Sequence, residues 1–194
     1  MKLNNKYFLL RHGQTIYQKE DRKMIYYDNE NASLEITKEG KERIKEQAEK
    51  LKEYKIDLIF SSPYLRVKQT AEIVSKATGR DIIYDERLVD IKMGEFSGKP
   101  TSVYKDFFVV KKLGFTQRPL DGENWKDVSE RVESFLNDVE NKYQGKNILV
   151  ISHGEPLWLM AGFLNGLKTL DELLPTRKSK NNNLYPKVGD LIVI

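Results

Sequence analysis

Short apolar runs alternate along the chain with longer segments in which apolar residues recur every three or four positions. Runs of about four apolar residues end at positions 10, 60, 151 and 194, and a shorter run spans 81–84. Such runs predict buried strands, and the wider spacing predicts helices, as at Ile44, Ala48 and Leu51. Strands that alternate with helices predict an α/β fold: a three-layer α/β/α sandwich with a mainly parallel central sheet.

Capping residues mark the ends of the predicted helices. Thr37 has the side chain of an N-cap, and Pro63 suits the first position of a helix that we expect to end at Gly79. An amphipathic pattern predicts a further helix over 125–143. Glu155 indicates another helix start, because a negative charge is favoured near the positive end of the helix dipole.

Length and composition limit the class of protein. The 194 residues are most simply one domain, which we assign to residues 1–194. No apolar run approaches the roughly 18–20 residues of a membrane span, and the N-terminus lacks the apolar segment of a signal peptide. The chain has no cysteine, which excludes disulfides and favours a cytoplasmic location. With two histidines and no cysteine, a zinc site is disfavoured, and magnesium would have only carboxylates to bind.

The net charge of +4 raises the question of a nucleic-acid partner. A basic patch is what nucleic acid would require. However, lysines alternate with glutamates along the predicted helices, as in residues 38–43, which is typical of a solvated helix face. We therefore expect no nucleic-acid partner, and a mild positive field would attract a phosphorylated substrate.

Residues suited to phosphate chemistry stand where the predicted strands end. Arg11 and His12 follow the first apolar run, and His153 follows a later one. Arg66 lies in the first turn of a helix after another strand, and Asp90 lies in a loop after a further strand. Open α/β sheets place ligands at the carboxyl ends of their strands. Because a guanidinium grips phosphate oxygens and an imidazole can attack phosphorus, the pattern indicates phosphoryl transfer through a phosphohistidine.

The motifs at these positions resemble the histidine phosphatase superfamily, the phosphoglycerate-mutase-like proteins. The resemblance covers most of the chain and implies the fold of that family, with a small insertion at about 88–122 over the active site. It rests on three motifs, each after an apolar strand: Arg11-His12-Gly13-Gln14-Thr15, Ser61-Ser62-Pro63-Tyr64-Leu65-Arg66 with Gln69-Thr70-Ala71-Glu72, and Ser152-His153-Gly154.

The resemblance implies a role for each matching residue. His12 is the expected nucleophile, and Asp90 is the expected proton donor. Because cationic side chains would do the work of a metal ion, no cofactor and no metal site are implied. The residues expected to contact the phosphate are Arg11, Thr15, Gln18, Arg66, His153 and Gly154.

Several positions depart from the family's pattern. The family usually carries a glutamate where Asp90 stands, and Asp90 would need burial or a nearby anion to stay protonated. Glu95 is the alternative acid, and we favour Asp90. Gln18 stands in place of an asparagine and Ser97 in place of a glutamate. Asn124 stands in place of a serine and keeps the ability to cap a helix.

The sequence leaves several alternatives open. The modest length favours a phosphatase of a small phosphorylated metabolite over a mutase, and a phosphate-binding module on the same fold is the non-enzyme alternative. The aromatic piece at 104–108 suits either a cover over the site or helix core. Residues 16–35 are predicted to be a loop near the site, and 178–183 a polar connector. The sequence does not specify the oligomeric state.

Overall fold

The computed structural model describes residues 3–167, 169–177 and 184–194. Its strands are β1 (Lys6–Arg11), β2 (Leu58–Ser61), β3 (Ile82–Tyr84), β4 (Asn147–Ser152) and β5 (Leu191–Val193). They form one sheet in the order β3-β2-β4-β1-β5. The first four are parallel, and β5 pairs antiparallel with β1 at one edge.

Seven α-helices connect or flank these strands within the described ranges. They are α1 (Ile16–Lys19), α2 (Lys38–Glu53), α3 (Leu65–Thr78), α4 (Thr101–Tyr104), α5 (Trp125–Lys142), α6 (Gly154–Leu164) and α7 (Leu170–Leu173). None of them is both long and apolar enough to cross a membrane.

The sheet is covered on both faces because neighbouring residues of a strand point to opposite sides. In β1, Tyr7 and Leu9 face a core formed with α5 and α6, and Phe8 and Leu10 face a second core formed with α2 and α3. All four side chains are fully buried. The predicted α/β/α sandwich with a mainly parallel sheet is confirmed.

The predicted caps hold at three helix ends. Thr37 accepts a hydrogen bond from the Gly40 amide at 3.0 Å, and Asn124 accepts one from the Asp127 amide at 3.0 Å. Gly79 ends α3 with φ of 70°, a left-handed conformation that favours glycine.

The predicted start of α3 at Pro63 is wrong by two residues. Tyr64 has an extended backbone and occupies the N-cap, so the helix begins at Leu65. The Leu65 amide, which has no partner within the helix, donates to the Asn31 carbonyl at 3.0 Å. This contact ties the start of α3 to the preceding loop.

The stretch 16–35 is not loop throughout, because α1 and a 3₁₀ turn at Asp28–Glu30 lie within it. Residues 23–28 pair with residues 97–101. The Ile25 amide donates to the Lys99 carbonyl at 2.9 Å, and the Thr101 amide donates to the Lys23 carbonyl at 2.8 Å. Two segments that are distant in sequence therefore form one connected wall beside the carboxyl edge of the sheet.

The aromatic piece at 104–108 contributes to the core, which is one of the two roles that the sequence left open. It spans the end of α4 and the start of a π-helix at Lys105–Val110. Phe108 is fully buried, stacks on Tyr104 at 4.5 Å between ring centres and packs against Trp125. The polar connector predicted at 178–183 lies outside the described residues.

Candidate active site

The strand order brings the two histidines of the chain together. Because β1 and β4 are parallel neighbours with Arg11 opposite Ser152, the residues that follow these strands leave the sheet side by side. The rings of His12 and His153 lie 5.4 Å apart, edge to face, and both are fully buried. β2 borders β4 on the other side, which places Ser62 next to His153.

His12 has one ring nitrogen occupied and one unoccupied. Its Nδ1 lies 2.9 Å from the Gly13 carbonyl oxygen. A carbonyl only accepts hydrogen bonds, so Nδ1 carries the proton and Nε2 keeps its lone pair. Burial, together with the charges of Arg66 and Arg11, holds the pKa of His12 well below its usual range. His12 is therefore neutral, with its free nitrogen at Nε2.

His153 is held on both sides. Its Nε2 lies 3.0 Å from the Ser62 hydroxyl oxygen, and its Nδ1 lies 3.2 Å from Nη2 of Arg66. A guanidinium only donates, so Nδ1 accepts and Nε2 donates to Ser62. Burial, followed by the charge of Arg66, also holds the pKa of His153 well below its usual range, so this ring is neutral as well.

Arg66 is fully buried and lies in the first turn of α3. Its Nη1 donates to Oδ1 of Asn31 at 2.9 Å, and the Tyr26 ring centre lies 4.7 Å from the guanidinium carbon. These two residues belong to the stretch 16–35, so that loop helps to fix the orientation of Arg66.

Asp90 lies between Arg66 and His153. Its Oδ2 accepts from Nη2 of Arg66 at 3.3 Å and lies 3.5 Å from Nδ1 of His153, while Oδ1 accepts from the Ile91 amide at 3.0 Å. The backbone carbonyl of Asp90 accepts from Nη2 of Arg131 at 3.2 Å, which holds the loop. Burial raises the pKa of the Asp90 carboxyl, and Arg66 and Arg11 oppose that shift.

Arg11 stands at the end of β1, beside the start of α6. Its Nη1 donates to the Pro186 carbonyl at 3.0 Å, and the Tyr185 ring centre lies 5.5 Å from its guanidinium carbon. Gly154 leaves the space for this arrangement, since a Cβ there would lie 2.3 Å from the Tyr185 hydroxyl and 3.0 Å from Cζ of Arg11.

Three buried side-chain nitrogens in the described part of the chain have no hydrogen-bond partner, and all three belong to this cluster: Arg11 Nε, His12 Nε2 and Arg66 Nε. Buried polar atoms are nearly always paired, because leaving one unpaired costs about 1–3 kcal/mol. The Nε atoms of Arg11 and Arg66 carry N–H donors, and Nε2 of His12 carries a lone pair. Together they would match an anion whose central atom can accept electrons.

The other predicted contact residues lie at different distances from this cluster. Gln18 lines the cavity, but its amide is engaged, since Oε1 accepts from the Thr15 hydroxyl at 2.9 Å and Nε2 donates to the Tyr26 hydroxyl. Thr15 is fully buried, is not among the cavity residues and gives its hydroxyl proton to Gln18. Glu95 is also outside the cavity, where its carboxylate accepts from the Leu120 amide at 3.0 Å.

A cavity of about 350 Å³ opens beside the cluster. Arg11, Arg66, Asp90 and Gly154 line one end. Within residues 3–167, 169–177 and 184–194, no group of three potential metal-binding side chains is placed to share an ion. The residues that line the rest of the cavity include Met24, Ile25, Tyr26, Asp28, Asn31, Ile91, Met93, Thr101, Tyr104, Lys105, Glu155, Arg177 and Tyr185.

Several residues of the site and its surroundings were not singled out from the sequence. Ser62 lay within a quoted motif and Tyr26 within the one apolar cluster of a polar stretch, which were weak signals. Asn31 carried no signal at all. Glu155 does lie in the first turn of α6, as predicted, but the sequence did not indicate that its carboxylate is buried and pairs with Arg177 at 2.7 and 2.9 Å.

An open α/β sheet whose carboxyl edge presents two arginines and a free imidazole nitrogen defines an enzyme-like site for a phosphorylated ligand. Residues 7–174 match the model of the histidine phosphatase superfamily, branch 1. The chain belongs to that superfamily, and it is an enzyme of the phosphoglycerate-mutase-like hydrolase type.

Curated relatives carry both phosphatase and mutase names. A protein of Hydrogenobacter thermophilus named "Putative phosphoserine phosphatase 2" is 30% identical over 165 residues, which cover 82% of this chain and 78% of that one. "Probable phosphoglycerate mutase GpmB" of Escherichia coli is 29% identical over 165 residues, which cover 82% of this chain and 74% of the relative. The resemblance to the superfamily is thereby confirmed.

Solved structures share the fold. Bacillus stearothermophilus YhfR superimposes with a TM-score of 0.75 at 22% identity, covering 97% of this chain and 90% of that one. Mycobacterial glucosyl-3-phosphoglycerate phosphatase Rv2419c superimposes with a TM-score of 0.71 at 21% identity, covering 88% and 84%.

Proposed function

We propose that the protein hydrolyses a small phosphate monoester through a phosphohistidine on His12, without a metal ion. The observation that carries this proposal is the set of three unpartnered buried nitrogens on Arg11, His12 and Arg66. A phosphoryl group would satisfy all three, since its oxygens accept from the two guanidinium N–H groups and its phosphorus accepts the lone pair of Nε2.

In the first step, Nε2 of His12 attacks phosphorus, a P–N bond forms, and the P–O bond to the leaving alcohol breaks. The hydrogen bond from Nδ1 to the Gly13 carbonyl holds the ring in the required tautomer and stabilises the positive charge that develops on it. Arg11 and Arg66 stabilise the equatorial oxygens of the transition state, which is the contribution a metal ion makes elsewhere.

Asp90 supplies the proton to the leaving oxygen. Its carboxylate lies at the position beside Arg66 and His153 that a phosphoryl oxygen would take. A bound phosphate would displace it, and the nearby negative charge would raise its pKa further, so that the displaced carboxyl carries a proton. Asp90 lines the cavity, whereas Glu95 does not and accepts from the Leu120 amide, which supports Asp90 as the acid.

The second step returns the enzyme to its starting state. Water attacks phosphorus, the P–N bond breaks, and the Asp90 carboxylate takes up the proton released by the water. His153 contacts the phosphoryl group through Nδ1, which faces Asp90 and Arg66 and becomes a donor when the arriving dianion favours its protonation.

The far end of the cavity would hold the leaving alcohol. The segment 88–122 contributes Met93, Thr101, Tyr104 and Lys105 to its lining, which supports a role in covering the site and selecting substrate. We propose that it is an insertion within a single domain over 1–194.

Two further properties complete the proposal. A cavity volume of about 350 Å³ suits a small metabolite as the substrate. The absence of cysteine supports a cytoplasmic location.

The test is phosphate release from a panel of small esters that includes an aryl phosphate, phosphoserine and 3-phosphoglycerate, with chelator present. Wild-type protein, His12→Ala and Tyr54→Phe are compared, since Tyr54 lies near the end of α2, away from the cavity. We expect metal-independent turnover in wild type and Tyr54→Phe and none in His12→Ala. Rapid quench into an alkaline denaturant should trap a phosphoryl group on His12 that is stable in base and lost in acid.

Other outcomes would change the assignment. Interconversion of phosphoglycerate isomers without net phosphate release would make the protein a mutase, the activity named for the relative of Escherichia coli. Binding of phosphate without turnover of any ester would indicate a binding module. Full turnover in His12→Ala would end the phosphohistidine mechanism.

A further inference from the structure

A buried ion pair that the proposed reaction does not use forms one wall of the cavity. Glu155, which is 4% exposed, accepts from both terminal nitrogens of Arg177, at 2.7 and 2.9 Å. It also accepts from the Trp125 indole at 2.9 Å and the Tyr185 hydroxyl at 3.0 Å. Four elements of the fold therefore meet at one carboxylate.

Tyr185 connects this carboxylate to the phosphate end of the cavity. Its hydroxyl is fixed on Oε1 of Glu155, and the guanidinium carbon of Arg11 lies 5.5 Å from its ring centre. The space beside Gly154 is filled from two sides, by the Tyr185 hydroxyl and by Cζ of Arg11. Tyr185 and Arg11 are thus in position to constrain each other.

The backbone around Tyr185 holds the other side of Arg11. The Pro186 carbonyl accepts from Nη1 at 3.0 Å, and the Asp190 carbonyl accepts from the Arg11 amide at 3.2 Å. Nη1 is thereby engaged, while Nε is buried and has no hydrogen-bond partner. The arrangement selects which edge of the guanidinium is presented to a ligand.

We infer that Tyr185 is a positioning residue: anchored by Glu155, it holds the guanidinium of Arg11 so that Nε faces the phosphoryl group. The inference rests on the proposed function, in which Arg11 binds that group. A guanidinium held in one orientation loses less conformational entropy when it binds than one that must be ordered by the ligand.

The competing explanation is that Tyr185 contacts the phosphate itself, since it also lines the cavity. The two explanations differ in what happens when Arg11 is replaced. If Tyr185 acts through Arg11, its replacement matters only while the guanidinium is present. If it acts directly, its replacement weakens binding by the same factor with or without that guanidinium.

The experiment is a double-mutant cycle on the binding of inorganic phosphate, measured by calorimetry with the full chain. The four proteins are wild type, Tyr185→Phe, Arg11→Lys and the double variant. Arg11→Lys keeps the positive charge, and therefore measurable affinity, but lacks the oriented fork. We expect Tyr185→Phe to raise the Kd about tenfold, or about 1.4 kcal/mol, in the wild-type background. In the Arg11→Lys background we expect less than about a twofold effect.

Two further variants serve as controls for this experiment. Tyr54→Phe removes a tyrosine hydroxyl away from the cavity and should leave the Kd unchanged. Tyr185→Leu also removes the ring and should weaken phosphate binding at least as much as Tyr185→Phe; a smaller effect would contradict the inference. Equal effects of Tyr185→Phe in both backgrounds, or no effect in either, would overturn it while leaving the proposed function standing. Wild-type protein that binds no phosphate would overturn both.

Discussion

Asp90→Asn is the most informative substitution, because the structure gives Asp90 two roles that respond in opposite directions. As the proton donor, it is needed to expel the leaving group. As the carboxylate between Arg66 and His153, it competes with the ligand for the same side chains. The variant should therefore turn over more slowly and yet bind inorganic phosphate more tightly.

The two magnitudes follow from separate physical effects. Loss of general-acid catalysis should lower kcat for an alkyl phosphate by about 10²–10⁴. A good leaving group such as a nitrophenolate needs no proton, so kcat for that ester should fall by less than about tenfold. The Arg66–Asp90 contact at 3.3 Å corresponds to about 5 kcal/mol of gross Coulomb attraction at an effective dielectric of 20. Allowing for the solvation that both groups lose, we expect a net gain of about 1–2 kcal/mol, or roughly 5–30-fold tighter phosphate binding.

The pH dependence has a sign that can be checked in the same assay. Burial raises the pKa of Asp90, and burial with the arginine charges lowers that of His12. The nucleophile is therefore already neutral at acidic pH, while the acid loses its proton as the pH rises. Activity on an alkyl ester should be highest on the acidic side and decline as the pH rises through the pKa of Asp90. Asp90→Asn should lack that decline.

The measurements are kcat on paired alkyl and aryl esters and competitive inhibition by phosphate, with Glu95→Gln as the matched carboxyl-to-amide control. Glu95→Gln should behave as wild type. Phosphate that binds more weakly to Asp90→Asn would refute the argument that the carboxylate occupies the ligand position. Full activity in Asp90→Asn, with loss in Glu95→Gln, would reassign the acid.

Three further substitutions probe the walls of the cavity. Gly154→Ala should raise the KM at least tenfold in steady-state kinetics, because the Cβ of the alanine would lie 2.3 Å from the Tyr185 hydroxyl. An unchanged KM would contradict the close packing of Gly154 against Tyr185. Arg177→Met should cost about 3–5 kcal/mol in urea unfolding, because it leaves Glu155 buried and unpaired. Arg177 holds the pKa of Glu155 below its usual range against the effect of burial, so this deficit should shrink as falling pH protonates the carboxyl in the variant. Lys105→Met should lower kcat/KM about tenfold for esters with an anionic leaving group and leave neutral esters unchanged, which paired substrates would test.

The sequence predicts the main features of the fold because the five strands and the longer helices follow local rules, whereas short helices such as α1 do not. The apolar runs before His12 and His153 lie in buried strands. Thr37 and Asn124 cap the starts of α2 and α5, and Gly79 ends α3, as predicted. The sequence also identifies the residues at the strand ends. Whether these residues act as proposed is a prediction that the assays above test.

The sequence does not predict what depends on strand order and on distant contacts. Nothing local says that β4 lies beside β1, and the 5.4 Å separation of the histidine rings follows from that order. The Glu155–Arg177 pair and the contact from Arg11 to Pro186 join residues far apart in the chain. A glutamate at a helix start looks the same in the sequence whether its carboxylate is exposed or, like that of Glu155, buried against an arginine.

The bond between Arg11 and Pro186 spans 175 positions of sequence, which bears on when the site can first exist. During synthesis, His12, Arg66 and His153 all leave the ribosome before the segment that fixes Arg11. A nascent chain that stops short of residue 184 contains the nucleophile but lacks the wall that orients Arg11. Contacts of such long range form late in folding, because closing a long loop costs entropy before it yields stabilising contacts. Phosphate affinity should therefore reach its full value only with the folding of nearly the whole chain, and that value would serve as a direct readout of complete folding.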